Sequence, residues 1–435
     1  MDDHPTPLII PRLEHPISRR LIDPDALKVL YRLQNHGFLA YLVGGGVRDL
    51  LLGKIPKDFD VVTDAHPQQI RGLFRNSRQI GARFRLAHVY FPGGKYIEVS
   101  TFRRRSEFEE ADNGDFHQSE NTFGTPAEDA FRRDITINGI FYNIADLSIV
   151  DYVGGMEDLR AGIIRCIGDP EEKFIQDPVR MIRVIRHAAR TGFDIEEETY
   201  QSLLRHVEKV RRCSPARLRE EFLRELREGS TKESLRLMLA TGMLFALFPP
   251  FHRPLEEASQ REYFLRIASA LDGLGVSGNR LGDGFYLALF LFPLVEFCCS
   301  ADDLPPGRKG QASFQQRVRS WVLEILGPLQ FPRFAKEAAA HLLGSQRIFR
   351  EFLPPQRLPL RFLRKPYFSQ ARHLFEIGVR AHGEDPERFS WQAEERRSVR
   401  RRRNRRHRRK KSEPRSSGPR AGESEKESLS PSSNP

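Results

Sequence analysis

The spacing of apolar residues changes near Pro170, and this change restricts the fold more than any other feature of the sequence. Upstream, short apolar runs such as Phe38–Val43 and Tyr96–Thr101 alternate with amphipathic stretches, as strands and helices do in a mixed sheet. Downstream, helical periodicity recurs in one segment after another, including Val179–Arg190 and Pro215–Arg227. The sequence therefore predicts the α+β class, with a head built on a mixed sheet and an all-helical neck and body.

Shifts in composition divide the chain further. The predicted segments are a flexible leader over 1–25, the head over 26–168, a helical neck over 169–240, a helical body over 241–392 and a disordered basic tail over 393–435. The leader is expected to be loose because it carries five prolines. The polar stretch 102–126 is expected to form a mobile loop.

The net charge of the chain is concentrated in one short run. The sequence has 70 Lys and Arg against 58 Asp and Glu, which gives a net charge of +12. Twelve of the cations lie between Arg396 and Lys411, a stretch that contains no acid. Such a run is often only solvated, but its density favours an anionic partner such as a nucleic-acid backbone.

Several classes of protein are disfavoured by the composition. The longest apolar stretch, Phe285–Phe292, is far shorter than a membrane span, and the acidic N-terminus lacks the apolar core of a secretory signal. None of the four cysteines belongs to a C-x-x-C pair, so neither a zinc site nor a disulfide framework is expected. The sequence predicts a cytoplasmic protein with reduced thiols and no membrane association.

The first candidate site combines a glycine run with two aspartates. Gly44-Gly45-Gly46 follows an apolar strand and precedes a helix that carries Arg48, which suits close approach of a phosphate. The run fits neither a P-loop nor a dinucleotide fingerprint. Asp58 and Asp60 follow, and alternation along a strand would place both carboxylates on one sheet face.

Paired carboxylates of this kind suit Mg²⁺ bound to substrate phosphates. The pattern D-x-D alone is most often a solvated strand end, but the upstream glycines and Arg48 favour a metal site. The segment that begins at Asp58 is not an EF-hand, because Thr63 occupies the required glycine position. Glu98, on a later strand, is either a third ligand or an exposed strand residue.

A second cluster is Arg132-Arg133-Asp134, followed by Asn138, within a helix predicted over Ala127–Asn143. Arg133 suits phosphate, Asp134 can accept a hydrogen bond from a ribose hydroxyl, and Asn138 would lie one turn further on the same face. The structural alternative is a salt-bridged helix start.

A third cluster is Asp177-Pro178, followed by Arg180 and Arg183, at a predicted helix start. An Asp acceptor beside an Arg donor matches the pairing edge of adenine, and cytosine presents the same order of donor and acceptor. The structural alternative is an N-cap followed by helix charges.

Taken together, these clusters resemble the class II tRNA nucleotidyltransferase and bacterial poly(A) polymerase family, within the DNA polymerase beta superfamily. The resemblance covers roughly Tyr41–Gly192 and includes the run Asp151–Leu159. It implies a nucleotidyltransferase head that adds nucleotides to RNA 3′ ends without a template, using Mg²⁺ and a nucleoside triphosphate.

The resemblance also implies roles for individual residues. Asp58 and Asp60 would hold the metal ions, and Asp134 would be the third catalytic acid. The implied nucleotide-binding residues are Gly45, Arg48, Arg133, Asn138, Asp177, Arg180 and Arg183. One departure from the family pattern is Gln176, which stands where the family has Glu.

Three features favour the poly(A) polymerase branch, with ATP as the nucleotide and RNA 3′ ends as the partner. Ile80–Val89 and Leu360–Trp391 resemble that branch, although Ala82 replaces a usual basic residue, and the Arg-rich tail is common in it. A tRNA CCA-, CC- or A-adding enzyme is the alternative. A non-catalytic RNA-binding protein is a third hypothesis, and the intact Asp58/Asp60 pair argues against it.

Overall fold

A computed structural model describes residues 6–80, 86–104, 108–110, 116–118, 123–276, 281–299, 303–354 and 356–389. The strands are β1 Leu8–Ile10, β2 Ala40–Val43, β3 Asp60–Thr63, β4 Ser77–Ile80, β5 Leu86–Tyr90, β6 Tyr96–Thr101, β7 Phe108–Glu110, β8 Phe116–Gln118, β9 Ile140–Asn143, β10 Ile149–Asp151, β11 Ile163–Ile164 and β12 Asp194–Ile195.

In chain order, the first nine α-helices lie between Pro24 and Arg227. They are α1 Pro24–Asn35, α2 Gly45–Leu51, α3 Pro67–Leu73, α4 Pro126–Phe131, α5 Gly155–Ala161, α6 Pro170–Gln176, α7 Val179–Thr191, α8 Glu197–His206 and α9 Pro215–Arg227.

The remaining α-helices lie between Thr231 and Ala381. They are α10 Thr231–Ala240, α11 Met243–Leu247, α12 Ala258–Val276, α13 Asp283–Cys298, α14 Gly307–Ile325, α15 Arg333–Gly344, α16 Gln346–Glu351, α17 Leu360–Leu363 and α18 Phe368–Ala381. Within the described ranges, no helix is both long and apolar enough to cross a bilayer.

The head is organised by a sheet with the strand order β1-β10-β9-β2-β3-β6-β5-β4. The β3–β6 pair is parallel and the other neighbours are antiparallel. Alternate residues of β3 enter different cores, because Val61 joins the large hydrophobic core and Val62 joins a smaller cluster on the opposite face. The mixed sheet followed by a helical body is the fold class that the sequence predicts.

The leader prediction is wrong for residues 6–25. β1 pairs with β10 at one edge of the head sheet, and Ile10, Ile17 and Ile22 are buried in the main core. The prolines interrupt regular structure without preventing burial, because isolated apolar side chains between them still reach the core. The division between head, neck and body stays a prediction.

The predicted helix over Ala127–Asn143 is also wrong. α4 ends at Phe131, a 3₁₀ turn covers Thr136–Asn138, and the apolar residues that follow form β9 between β2 and β10. A short apolar run is compatible with either helix or strand, and here its position inside the sheet decides for strand.

Two predictions fall wholly or largely outside the described residues. The predicted mobile loop over 102–126 contains the antiparallel pair β7–β8, and the rest of its central part is not described. The predicted disordered tail over 393–435, which includes the Arg-rich run, lies beyond the last described residue, Phe389.

Candidate active site

The carboxylates of the first candidate site gather where β3 and β6 begin. Asp60 is the first residue of β3, and the parallel register places it opposite Glu98 on β6. Asp58 precedes the strand, so the prediction that both aspartates alternate on one strand is wrong. The Asp58 carbonyl oxygen instead lies 3.1 Å from the position that a Cβ on Gly46 would take.

Electrostatic repulsion links these carboxylates. The pKa of Asp60 is raised to about 6, first by desolvation and then by the charges of Glu98 and Asp58, while Arg133 counteracts them. Desolvation and the charge of Asp58 likewise raise the pKa of Glu98, against the opposite effect of Arg103. Asp60 is nevertheless exposed to solvent. A cation placed here would remove the repulsion.

Asp58 and Asp60 supply carboxylate oxygens, which are the ligands that Mg²⁺ prefers. Among the residues that the structure describes, no group of three or more His, Cys, Asp or Glu side chains is arranged to hold a metal by itself. The donor set therefore fits an ion that takes its remaining ligands from phosphates and water. Asp58 and Asp60 are the residues that would hold it.

The glycine run approaches the acidic cluster closely. Gly44 has φ 76° and ψ −148°, a conformation that residues with a side chain rarely adopt. A Cβ at Gly44 would lie 3.6 Å from Asp60 Oδ2 and 3.8 Å from Arg133 Nη1. The turn before α2 thus faces both a carboxylate and a guanidinium across a narrow space.

The two arginines of the second cluster are anchored by Asp129, which sequence reasoning missed. The Asp129 carboxylate is fully buried and accepts hydrogen bonds from Arg132 Nε at 2.7 Å and from Arg133 Nη2 at 2.8 Å. The Arg103 backbone N–H donates to the same carboxylate at 3.2 Å. The sequence signal for these ion pairs was the spacing, because Asp129 stands three residues before Arg132 and four before Arg133.

Asp134 joins the head to the neck. Its Oδ1 lies 2.7 Å from Arg180 Nη1, and its Oδ2 accepts a hydrogen bond from Arg183 Nη1 at 2.8 Å. Burial alone would raise the pKa of Asp134, but the two arginine charges outweigh it and hold that pKa below its usual range. The structure therefore brings together Asp134, Arg180 and Arg183 from two separate sequence clusters.

Arg48 and Asn138 belong to a different group of side chains. The prediction that Asn138 shares a helix face with Asp134 is therefore wrong. Arg48 is fully buried and donates to Asp49 Oδ1 through Nη2 at 2.7 Å. Its Nη1 lies 2.9 Å from Asn138 Oδ1 and 3.2 Å from His187 Nδ1. The predicted triphosphate contact by the Arg48 side chain is wrong for this arrangement, because its polar atoms are committed to protein partners.

The third cluster places a carboxylate acceptor and a guanidinium donor close to each other. Asp177 Oδ2 accepts from Arg217 Nη2 at 2.9 Å, and Arg180 Nε lies 3.9 Å from the same oxygen. Within the described part of the chain, neither Asp177 Oδ1 nor Arg180 Nε has a hydrogen-bond partner, although both atoms are buried. An acceptor and a donor are therefore left unpaired beside each other.

Residues of α9 hold this cluster in place, and sequence reasoning missed them. Arg217 fixes one oxygen of Asp177, and Glu221 Oε1 accepts from Arg183 Nε at 2.9 Å. Both belong to a helix that the sequence predicted correctly, but nothing in its pattern identifies the partners across the neck.

Comparisons with known proteins agree with this geometry. A family profile described as "Poly A polymerase head domain" matches residues 40–165, and one described as "Probable RNA and SrmB-binding site of polymerase A" matches 192–254. Poly(A) polymerase I from Salmonella typhi is 45% identical over 299 residues. The chain contains a poly(A) polymerase head domain.

Other relatives are similar to different extents. Poly(A) polymerase I from Escherichia coli O6:H1 is 44% identical over 67% of this chain, and the CCA-adding enzyme from Lactobacillus helveticus is 36% identical over 50% of it. The match spans 64% of the Salmonella relative and 65% of the Escherichia coli relative. A CCA-adding enzyme from Bacillus stearothermophilus, solved with CTP, has a TM-score of 0.62 at 25% identity, covering 86% of this chain and 82% of that one.

Proposed function

We propose that this protein is a template-independent poly(A) polymerase that adds AMP from ATP to RNA 3′ ends and releases pyrophosphate. In this reaction the RNA 3′-hydroxyl oxygen attacks the α-phosphorus of ATP, and the bond to the β-phosphate bridging oxygen breaks. The observation that carries the proposal is the Asp177 acceptor and the Arg180 donor, which have no hydrogen-bond partner within the described residues, together with the contacts of Arg180 with Asp134 and with the Arg133 carbonyl oxygen of the head.

Asp58 and Asp60 are proposed to hold Mg²⁺, which would supply charge neutralisation of the phosphates and activation of the attacking hydroxyl. The raised pKa of Asp60 supports this role, because desolvation and, after it, the charges of Glu98 and Asp58 disfavour the free carboxylate, and a bound cation would offset both. Arg133 lies close to Gly44 in the glycine turn and suits the triphosphate, and the neighbouring Gly45 backbone is proposed as a further triphosphate contact. Asp134 is proposed as the third catalytic acid.

Base selection is assigned to the neck. Adenine offers an amino donor and a ring-nitrogen acceptor, which match Asp177 Oδ1 and Arg180 Nε in that order. Guanine and uracil present the reverse order. Arg183 and Asn138 are proposed to act as positioning residues, together with Arg48, because each is bonded to another site residue.

Cytosine shares the donor and acceptor order of adenine, so a tRNA CCA-, CC- or A-adding enzyme is the second candidate. The fold similarity to a CCA-adding enzyme solved with CTP supports it. The higher identity and longer match to Poly(A) polymerase I favour the first candidate. The Arg-rich run Arg396–Lys411 also suits a generic RNA tract, because clustered cations bind phosphates without reading sequence. A cytoplasmic location and a role in mRNA polyadenylation belong to the same proposal.

A nucleotide-choice assay separates the two candidates. The protein is incubated with Mg²⁺ and either ATP or CTP, using an unstructured RNA and a tRNA that lacks its terminal CCA. We expect long A tails on the unstructured RNA and poor use of CTP. Addition that stops after one to three nucleotides, and that needs CTP on the truncated tRNA, would instead establish the second candidate.

Two aspartate variants test the assignments within that assay. Asp58→Ala should abolish extension, and activity at the wild-type level would refute the metal-binding assignment. Asp177→Asn should weaken the use of ATP, because an amide can turn a donor toward the adenine amino group. Its matched control is Asp169→Asn, where the carboxylate accepts from the Glu171 backbone N–H at 2.8 Å and only caps α6.

A further inference from the structure

The helical body contains a cavity of about 360 Å³ that the proposed reaction does not use. Its described lining consists of Ser259, Gln260, Tyr263, Arg266, Phe297 and His382. The first four lie on α12 with helical spacing, while the others come from the end of α13 and the residue after α18. The volume falls within the range of about 300–1,000 Å³ for sites that take small molecules.

Aromatic rings form one side of the cavity. The rings of Tyr263 and His382 are stacked, with centroids 4.3 Å apart and planes inclined at 28°. Phe297 stands at the rim with 46% of its surface exposed. Aromatic side chains presented in this way are the platforms on which unpaired nucleobases stack.

Cationic and polar groups accompany the rings. Arg266 lines the cavity and forms an exposed ion pair with Glu262 on the same helix, with 3.3 Å between Arg266 Nη1 and Glu262 Oε1. Arg266 and Arg350 interact electrostatically with both Tyr263 and His382. The negative charge of Glu384 also interacts with His382, with the opposite sign. An aromatic wall with guanidinium charge suits a ligand that is both aromatic and anionic.

The Tyr263 hydroxyl adds an independent observation. Tyr263 is only 6% exposed, and in the described part of the chain its hydroxyl has no hydrogen-bond partner. Leaving a buried hydroxyl unpaired is unfavourable, because the hydroxyl has lost its hydrogen bonds to water without gaining others. A partner supplied by a bound molecule, directly or through an ordered water, would remove that cost.

We propose that this cavity binds one nucleotide unit, with the base against the aromatic rings and the phosphate toward Arg266. The nucleotide belongs either to an RNA strand or to a free nucleotide, since both offer the same chemistry. The RNA source rests on the proposed function and fits the sequence, because the Arg-rich run begins fourteen residues after His382, at Arg396. With an RNA strand as the source, the cavity holds that strand upstream of its 3′ end.

Fluorescence anisotropy with the full-length protein tests the proposal, with labelled oligo(A) of about 20 nucleotides and with labelled AMP as separate probes. Arg266→Ala and Phe297→Ala remove the charge and the rim aromatic. Each should weaken binding of the occupying probe by about fivefold or more, the lower end of the effect of losing one stacked base. Loss confined to oligo(A) identifies an RNA strand, and an equal loss with AMP identifies a free nucleotide.

Matched controls carry the same substitutions elsewhere. Arg236→Ala removes a surface arginine that, like Arg266, pairs with a glutamate on its own helix. Phe334→Ala removes a phenylalanine on α15 that is 72% exposed. These variants should bind both probes as the wild type does. If the cavity variants and the controls have the same affinities for both probes, the proposal is wrong.

The test distinguishes this proposal from the polymerase assignment. A wild type that binds oligo(A) through the cavity but extends no RNA would overturn the proposed reaction and leave the cavity site standing. A wild type that makes long tails, with cavity variants that bind oligo(A) and AMP normally, would overturn the cavity site alone.

Discussion

Replacing Asp60 by asparagine should stabilise the metal-free protein while it removes activity. Asp60 begins β3 beside Glu98, and its pKa is raised from 3.8 to about 6 by desolvation and by neighbouring carboxylates. At about 1.4 kcal/mol per pKa unit, a shift of this size corresponds to about 3 kcal/mol of unfavourable free energy when the carboxyl is ionised. Because the side chain opens to solvent, screening reduces the expected gain from Asp60→Asn to about 1 kcal/mol.

The sign of the effect fixes its pH dependence. The folded pKa of Asp60 lies above its unfolded value, so ionisation destabilises the folded state as the pH rises from about 4 to about 6. For a chain of 435 residues, the melting temperature of Asp60→Asn should exceed that of the wild type by about 1 °C at pH 7.5, and the difference should shrink towards zero near pH 4.

Thermal unfolding in EDTA and then in Mg²⁺ measures both parts of this prediction. We expect Mg²⁺ with an ATP analogue to raise the wild-type melting temperature and to leave Asp60→Asn unchanged. Asp64→Asn is the control, because its carboxylate accepts from the Leu39 backbone N–H at 2.8 Å at the far end of the same strand. A lower melting temperature for Asp60→Asn in EDTA at pH 7.5 would refute the electrostatic reasoning.

Three further substitutions test the surrounding architecture. Gly155→Ala should destabilise the head by about 1–3 kcal/mol in urea unfolding, because its Cβ would collide with the Thr136 carbonyl oxygen, and a wild-type midpoint would contradict this. Glu225→Gln should lose less stability than the wild type between pH 5 and pH 8, because burial raises the Glu225 pKa to about 8; parallel pH profiles of chemical unfolding would exclude this cause. Arg48→Met should lower the free energy of unfolding by about 3 kcal/mol, since it removes the buried guanidinium that pairs with Asp49. A loss below about 1 kcal/mol would show that this ion pair does not stabilise the fold.

Local patterns predicted much of the helical region, because amphipathic spacing is a property of each segment alone. The helix Pro215–Arg227 has the predicted bounds. The segment from Ile135 to Phe141 was misread, since a short apolar run does not reveal whether a sheet will receive it. The leader failed for a similar reason: Ile10 and Ile17 are isolated apolar residues without a period.

The site was predictable in its composition but not in its pairings. The motifs identified Asp60, Asp134 and Arg180, yet the register that brings Glu98 to Asp60 depends on two strands that meet only in the fold. The burial of Arg48 also could not be inferred, because its partner His187 lies 139 residues away in the sequence.

Extension of an unstructured RNA with ATP and Mg²⁺, followed by gel electrophoresis and a pyrophosphate assay, is the most direct check on the assignment of chemistry to the acidic cluster. The wild type and Asp64→Asn should both produce long A tails with one pyrophosphate released for each AMP added, and Asp60→Asn should produce neither. Tails made by Asp60→Asn at the wild-type rate, or a wild type that extends no RNA, would contradict the assignment.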